Sequence, residues 1–188
     1  MTDIDSTAIV QKGAELEHDV KIGAYTIIGP HVKIGANSCI MAHVFLDGRT
    51  TIGAGCTIFP FASIGTQSQD LKYKGGKTFV EIGDNTTLRE YVTVNSGTNE
   101  GDITRVGLNC HIMAYSHIAH QCIVGNNVTI SNAGTLAGHV VIEDYAALGG
   151  LCGIHQFVRI GRMSFLGGCS KATQDIPPYM LADGNPAS

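Results

Sequence analysis

Residues Val106-Gly107-Leu108-Asn109-Cys110-His111-Ile112-Met113-Ala114-Tyr115-Ser116-His117-Ile118-Ala119-His120-Gln121-Cys122-Ile123-Val124 place an aliphatic side chain at every sixth position: Val106, Ile112, Ile118 and Val124. The fourth residue after each is small or β-branched: Cys110, Ser116, Cys122 and then Val128. Both series extend outward. Toward the N-terminus the aliphatic one includes Ile4, Val10, Leu16, Ile22, Ile28, Ile34, Ile40, Leu46, Ile52, Ile58 and Ile64. It breaks at Asp70 and Gly76, returns at Ile82, Leu88 and Val94, and breaks again at Glu100. Toward the C-terminus it continues through Ile130, Leu136, Ile142, Leu148, Ile154, Ile160 and Leu166. Six is not a multiple of 3.6, and the glycine that follows many of these aliphatics penalises a helix. One large and one small inward residue per six describes a short strand plus a turn, packed into a narrow prism.

The remaining composition agrees. The chain has 188 residues, enough for one domain over 1–188 with a sizeable core. It holds 24 glycines, no Trp and only 6% aromatic residues, which excludes a core built on large aromatic clusters. Four of the six cysteines, Cys56, Cys110, Cys122 and Cys152, occupy the small inward slot and read as buried thiols; no CxxC occurs. A net charge of -4 argues against general nucleic-acid binding. Met1-Thr2-Asp3-Ile4-Asp5 is acidic and lacks the apolar run of a signal peptide. No window reaches the roughly 18 apolar residues of a membrane span. The expected location is the cytoplasm.

This pattern resembles the hexapeptide repeat of the left-handed parallel β-helix, and the resemblance covers nearly the whole chain. It implies three hexapeptides, or 18 residues, per coil. The left hand comes from the resemblance, since it runs against the usual crossover rule. Coils should lie about 4.8 Å apart. The register breaks imply external loops at about 65–81 and 99–105, and a C-terminal exit segment at about 172–188.

A coil of 18 residues makes a map. Ile64, Ile82, Ile118, Leu136 and Ile154 share a phase and are expected on one face. His120 follows Ile118 by two, His139 follows Leu136 by three, His155 follows Ile154 by one, and His117 is expected at the corner before Ile118. Both loops leave from this same face, as loops that serve a site often do. Stacking puts His120, Gly138 and Gln156 in one column. None of the eight histidines takes an inward slot. His18, His31, His43 and His111 read equally well as surface or subunit-contact residues, whereas His117, His120, His139 and His155 group as a site.

The group suits acyl transfer. A neutral imidazole can take the proton of a hydroxyl or amine as it attacks a carbonyl. A glycine at 138 lets substrate approach its N–H, which can hold the tetrahedral oxyanion. No Ser or Cys pairs obviously with His120, which favours direct transfer over an acyl-enzyme.

Five blocks carry a closer resemblance: Gln69-Asp70-Leu71-Lys72-Tyr73, His117-Ile118-Ala119-His120, Leu136-Ala137-Gly138-His139, His155-Gln156-Phe157 and Gln174-Asp175-Ile176-Pro177-Pro178-Tyr179. Together they resemble the signature of the UDP-N-acetylglucosamine acyltransferase family of lipid A synthesis. That resemblance implies transfer of a 3-hydroxyacyl chain from acyl carrier protein to the glucosamine 3-position, without a cofactor or metal. His120 would be the base and the Gly138 N–H the oxyanion donor. Asp70, Lys72, His117, His139, His155 and Gln156 would contact sugar nucleotide or acyl donor. Gly168 would occupy the position that limits acyl length, with room for a longer chain. The family is homotrimeric, with sites in the clefts between subunits, and Lys72 could there meet a phosphate as a point charge.

Two departures stand out. After the base the family usually has Asp, and here it is Gln121. The sequence ends at Gly184-Asn185-Pro186-Ala187-Ser188, where family members continue into a basic helical domain; Arg159, Arg162 and Lys171 are the basic residues near this end. Other readings of the same architecture are a trimeric scaffold without catalysis and a zinc enzyme resembling the γ-class carbonic anhydrases. The second needs a histidine pair five residues apart, and none occurs. The acceptor's 3-substituent, hydroxyl or amine, is left open.

Overall fold

The computed structural model describes residues 2–188. Its strands, two to four residues long, form three parallel sheets of ten, nine and eight strands that wall a triangular left-handed prism. No helix occurs among the described residues, so none is long and apolar enough to cross a membrane. The aliphatic ladder points inward. Ile28, Ile40, Leu46, Ile58, Ile64, Ile112, Ile118, Ile130 and Leu136 are fully buried. Each such side chain contributes roughly 1.5–3 kcal/mol of burial. Ile4 lies in the outermost coil and is exposed, because only one neighbouring coil packs on it.

The small slot is filled as its chemistry requires. Thr26 donates its hydroxyl to the Met41 carbonyl at 2.6 Å, and Ser38 to that of Gly53 at 2.8 Å. The thiols of Cys110, Cys122 and Cys152 lie 3.1, 3.0 and 2.9 Å from backbone carbonyls one coil on. Burial raises all three, Cys122 to about 12, so they are inert thiols.

Corners are made by a left-handed residue three after a ladder aliphatic, among them Tyr25, His43, Gln121, His139 and Phe157. This conformation turns the chain and throws the side chain outward. At one corner the outward rings of Tyr25, His43, Phe61, Tyr91 and Tyr115 stack at 4.9–5.1 Å along the prism.

The 18-residue arithmetic fails at two points. Ile82 does not share a face with Ile64. It pairs with Ile52 and Val106 in the eight-stranded sheet, while Val94 stacks on Ile64 in the nine-stranded one. The reason is the first excursion, which spaces register partners by 30 residues (Thr57 with Thr87) instead of 18. The second excursion spaces Thr87 from His111 by 24. Strand Ser63–Thr66 leads into the first excursion and Phe79–Ile82 follows it. The second occupies residues 96–102, earlier than the sequence register placed it. Strand Ile103–Val106 is already paired with Phe79–Ile82, and Thr104 is buried. Residues 172–188 stay on the prism: Ile176 bridges Ile160, and Leu181–Ala182 pairs with Phe165–Leu166.

Candidate active site

Both excursions leave the nine-stranded sheet at the corner where it passes into the eight-stranded sheet. Three strands further on, the same corner carries His120. Its register is set by Ile118, Leu136 and Ile154, which stack as His117–Ile118, Thr135–Leu136 and Gly153–Ile154 pair in order. Residues 120, 138 and 156 therefore lie in successive coils, and the Phe157 N–H donates to the Gly138 carbonyl.

His120 sits flat on Gly138. A Cβ at 138 would come 2.2 Å from the ring's Cε1 and 2.5 Å from Nε2, so only glycine leaves the imidazole its place. The Gly138 N–H itself donates to no acceptor among the described residues. His120 points out of the prism yet is only 7% exposed, because the excursions cover it. Its Nε2 is 4.0 Å from Asp70 Oδ2, and its Nδ1 meets Gln121 Oε1.

The other histidines are held around it. His139 stands edge-on to His120 at 5.3 Å and stacks on Phe157 at 4.6 Å. His117 lies within strand His117–Ile118 and not at the corner expected from sequence; its Nδ1 is 2.7 Å from Thr93 Oγ1. His155 and Gln156 are exposed, with His155 Nδ1 3.2 Å from the Gln156 carbonyl. Asp70 accepts the Lys72 N–H at 2.9 Å, which presents the exposed Lys72 on the loop tip. The excursions are stitched together: Ser68 and Thr98 hydroxyls meet at 2.8 Å, and Thr78 donates to Ser96 at 2.8 Å.

The structure thus gathers His117, His120, Gly138, His139 and Asp70 at one corner, with Lys72, His155 and Gln156 beside them. Gly168 is not brought to them within one chain. It follows strand Phe165–Leu166 of the ten-stranded sheet and faces Gly150. Arg159 pairs with Glu143 at 2.7 Å on the eight-stranded sheet. A cavity of about 440 Å³ under the first excursion, lined by His31, Asp47, Arg49, Tyr73 and Lys77 among others, contains none of the expected site residues. Among the described residues no three His, Cys, Asp or Glu side chains converge as a metal ion requires. Sequence reading missed Thr93, Thr98 and Asp102. For Thr98 and Asp102 the only signal was that both excursions leave one face, whereas Thr93 lies in strand Thr93–Asn95 as the register partner of His117.

Burial lowers the pKa of His117, and the neighbouring His120 lowers it further; His139 is lowered by the same two causes in the same order. The unfolded chain therefore takes up these protons first as pH falls below about 6.5. Stability is expected to drop from there down to the folded-state pKa values. Thermal melts at pH 7.5 and 5.5 check this: the loss in Tm should shrink in the H117N/H139N variant, and an equal loss in both proteins would refute it.

Fold and site together define a transferase of the hexapeptide-repeat class, and residues 13–48 and 104–138 match the model of the bacterial transferase hexapeptide family. The chain is 52% identical over 188 residues to the acyl-[acyl-carrier-protein]–UDP-N-acetylglucosamine O-acyltransferase of Herminiimonas arsenicoxydans, spanning all of this chain and 72% of that protein. It is 46% identical over 189 residues to the enzyme of the same name from Campylobacter concisus, with the same coverage. The solved UDP-N-acetylglucosamine acyltransferase of Campylobacter jejuni superposes with a TM-score of 0.94 at 46% identity, over 99% of this chain and 73% of that one. LpxA of Acinetobacter baumannii gives 0.95 at 46%, over 98% and 72%. The chain belongs to the acyl-[acyl-carrier-protein]–UDP-N-acetylglucosamine O-acyltransferase family and is an acyltransferase.

Proposed function

We propose that this chain moves a 3-hydroxyacyl group from acyl carrier protein to the glucosamine 3-position of UDP-N-acetylglucosamine, the first step of lipid A synthesis, as a cytoplasmic homotrimer of single β-helical domains. The observation that carries the reading is the seating of His120 on Gly138. His120 Nε2 takes the proton of the acceptor's 3-hydroxyl as its oxygen attacks the thioester carbonyl. The Gly138 N–H receives the oxyanion. Collapse expels the carrier's thiolate, which takes the proton back from the imidazole. Among the described residues no hydroxyl or thiol is hydrogen-bonded to His120, which supports direct transfer.

Asp70, Lys72, His117, His139, His155 and Gln156 surround this centre and bind the two substrates. Gly168 reaches an acyl chain only from a second copy, because it lies on a different sheet from His120. The exposed ring column from Tyr25 to Tyr115 is the surface that the copies share, and it supports the trimer. Incubation with 3-hydroxyacyl carrier protein and UDP-N-acetylglucosamine should yield the 3-O-acyl product, from a species of about three times the chain mass in analytical ultracentrifugation. A trimer that acylates only a 3-amino sugar would replace the acceptor, and a trimer without turnover on either would favour the scaffold reading.

A further inference from the structure

We propose that Asp102, acting through the side-chain amide of Gln121, is the positioning residue that fixes the proton-accepting tautomer of His120. The proposal rests on His120 being the base. It begins with a bridge: Gln121 Oε1 meets His120 Nδ1, and Gln121 Nε2 donates to Asp102 Oδ2. A carboxylate only accepts hydrogen bonds. The NH₂ end of the amide must therefore face Asp102, which leaves its carbonyl end facing the imidazole. A carbonyl also only accepts, so His120 Nδ1 must carry the ring proton. Nε2, the nitrogen turned toward Gly138 and Asp70, then keeps the free lone pair that a base needs.

The bridge is built from both sides. The backbone of Gln121 is fixed by its N–H, which donates to Thr104 Oγ1 at 2.9 Å, and by its left-handed φ of 53°. Thr98 adds a hydroxyl 3.3 Å from Gln121 Oε1. Asp102 is held by the Asn99 N–H at 2.7 Å and by Asn99 Nδ2 at 3.0 Å. The carboxylate polarises the amide, so the carbonyl that faces His120 carries more negative charge as the imidazolium forms. This chain has an amide directly after the base and supplies the charge one residue further out, from the second excursion.

The test uses the full chain and four proteins: wild type, His120→Ala, Asp102→Asn, and Asp102→Asn combined with Gln121→Asp. The charged and titratable groups facing His120 are Asp70, Lys72, His117, His139 and Asp102; all but Asp102 are unchanged across the last two variants. Asp102→Asn should lower kcat by about 10–10²-fold, the scale of a misplaced catalytic group, with KM little changed and the acid limb of the kcat–pH profile moved to lower pH. Adding Gln121→Asp, which sets a carboxylate directly against Nδ1, should restore most of the rate. A purely structural Asp102 would lower Tm and leave the limb unmoved and the rate unrescued, and that result would overturn the proposal.

Imidazole ¹⁵N spectra give a readout that needs no turnover. Neutral His120 should be the Nδ1–H tautomer in wild type and a mixture in Asp102→Asn. An Nε2–H tautomer in wild type overturns the proposal. Spectra that behave as expected from a protein whose turnover survives His120→Ala would retain the bridge and overturn His120 as the base.

Discussion

Replacing His120 with Ala is expected to lower kcat by about 10²–10⁴-fold, the usual contribution of a positioned general base, with little change in KM or in the assembled fold. The reason is geometric. No neighbouring ring can take over. His139 stands edge-on at 5.3 Å and is tied to Phe157 by stacking, while His117 is committed to Thr93. Both have pKa values lowered by burial, which makes them weaker bases than an ordinary imidazole. The Gly138 N–H would remain, so activity should fall to a residue above background and not to zero. Steady-state kinetics with saturating donor and acceptor decide it. A rate within threefold of wild type would remove His120 from the chemistry.

Gly138→Ala should cost about 10²-fold in kcat and leave Tm within a few degrees of wild type. The glycine does not lie in the left-handed region, so its backbone accepts Ala without strain. What it does not accept is the methyl group. A Cβ at 2.2 Å from Cε1 and 2.9 Å from Nδ1 of His120 is closer than real carbon contacts come. The ring must shift, and any shift strains its hydrogen bond to Gln121 and withdraws Nε2 from the acceptor. The two substitutions act on one element and should not add. In a His120→Ala background the methyl meets no ring, so Gly138→Ala should cost much less there than in wild type. Equal losses in both backgrounds would mean that the methyl acts elsewhere, for instance by blocking approach to the 138 N–H.

The pair 120 and 138 was legible because a solenoid converts sequence distance into spatial distance. Where no excursion intervenes, residues 18 apart stack, and Ile118, Leu136 and Ile154 do so. The same arithmetic misplaced Ile82, since an excursion adds residues to the chain but no height to the prism. It also put His117 at a corner, although outward strand positions carry polar side chains just as corners do. The departure at Gln121 could be seen in sequence, whereas its consequence could not. Whether an amide beside the base is a loss or a bridge depends on what faces its far end.

The sequence by itself determined the prism, its inward ladder, the inert thiols and the column that seats His120 on Gly138. These follow from a strict local period, in which each side chain's direction is set by its place in six residues. Only the tertiary structure decided what covers that column. The excursions obey no period, and their side chains are placed by contacts between segments far apart in sequence: Ser68 with Thr98, Lys77 with Glu100, Gln121 with Asp102. Asp102 carries no mark in the sequence that separates it from any other loop carboxylate. It becomes part of the site because the second excursion folds back over the same corner, where the half-buried amide of Gln121 meets it as an acceptor.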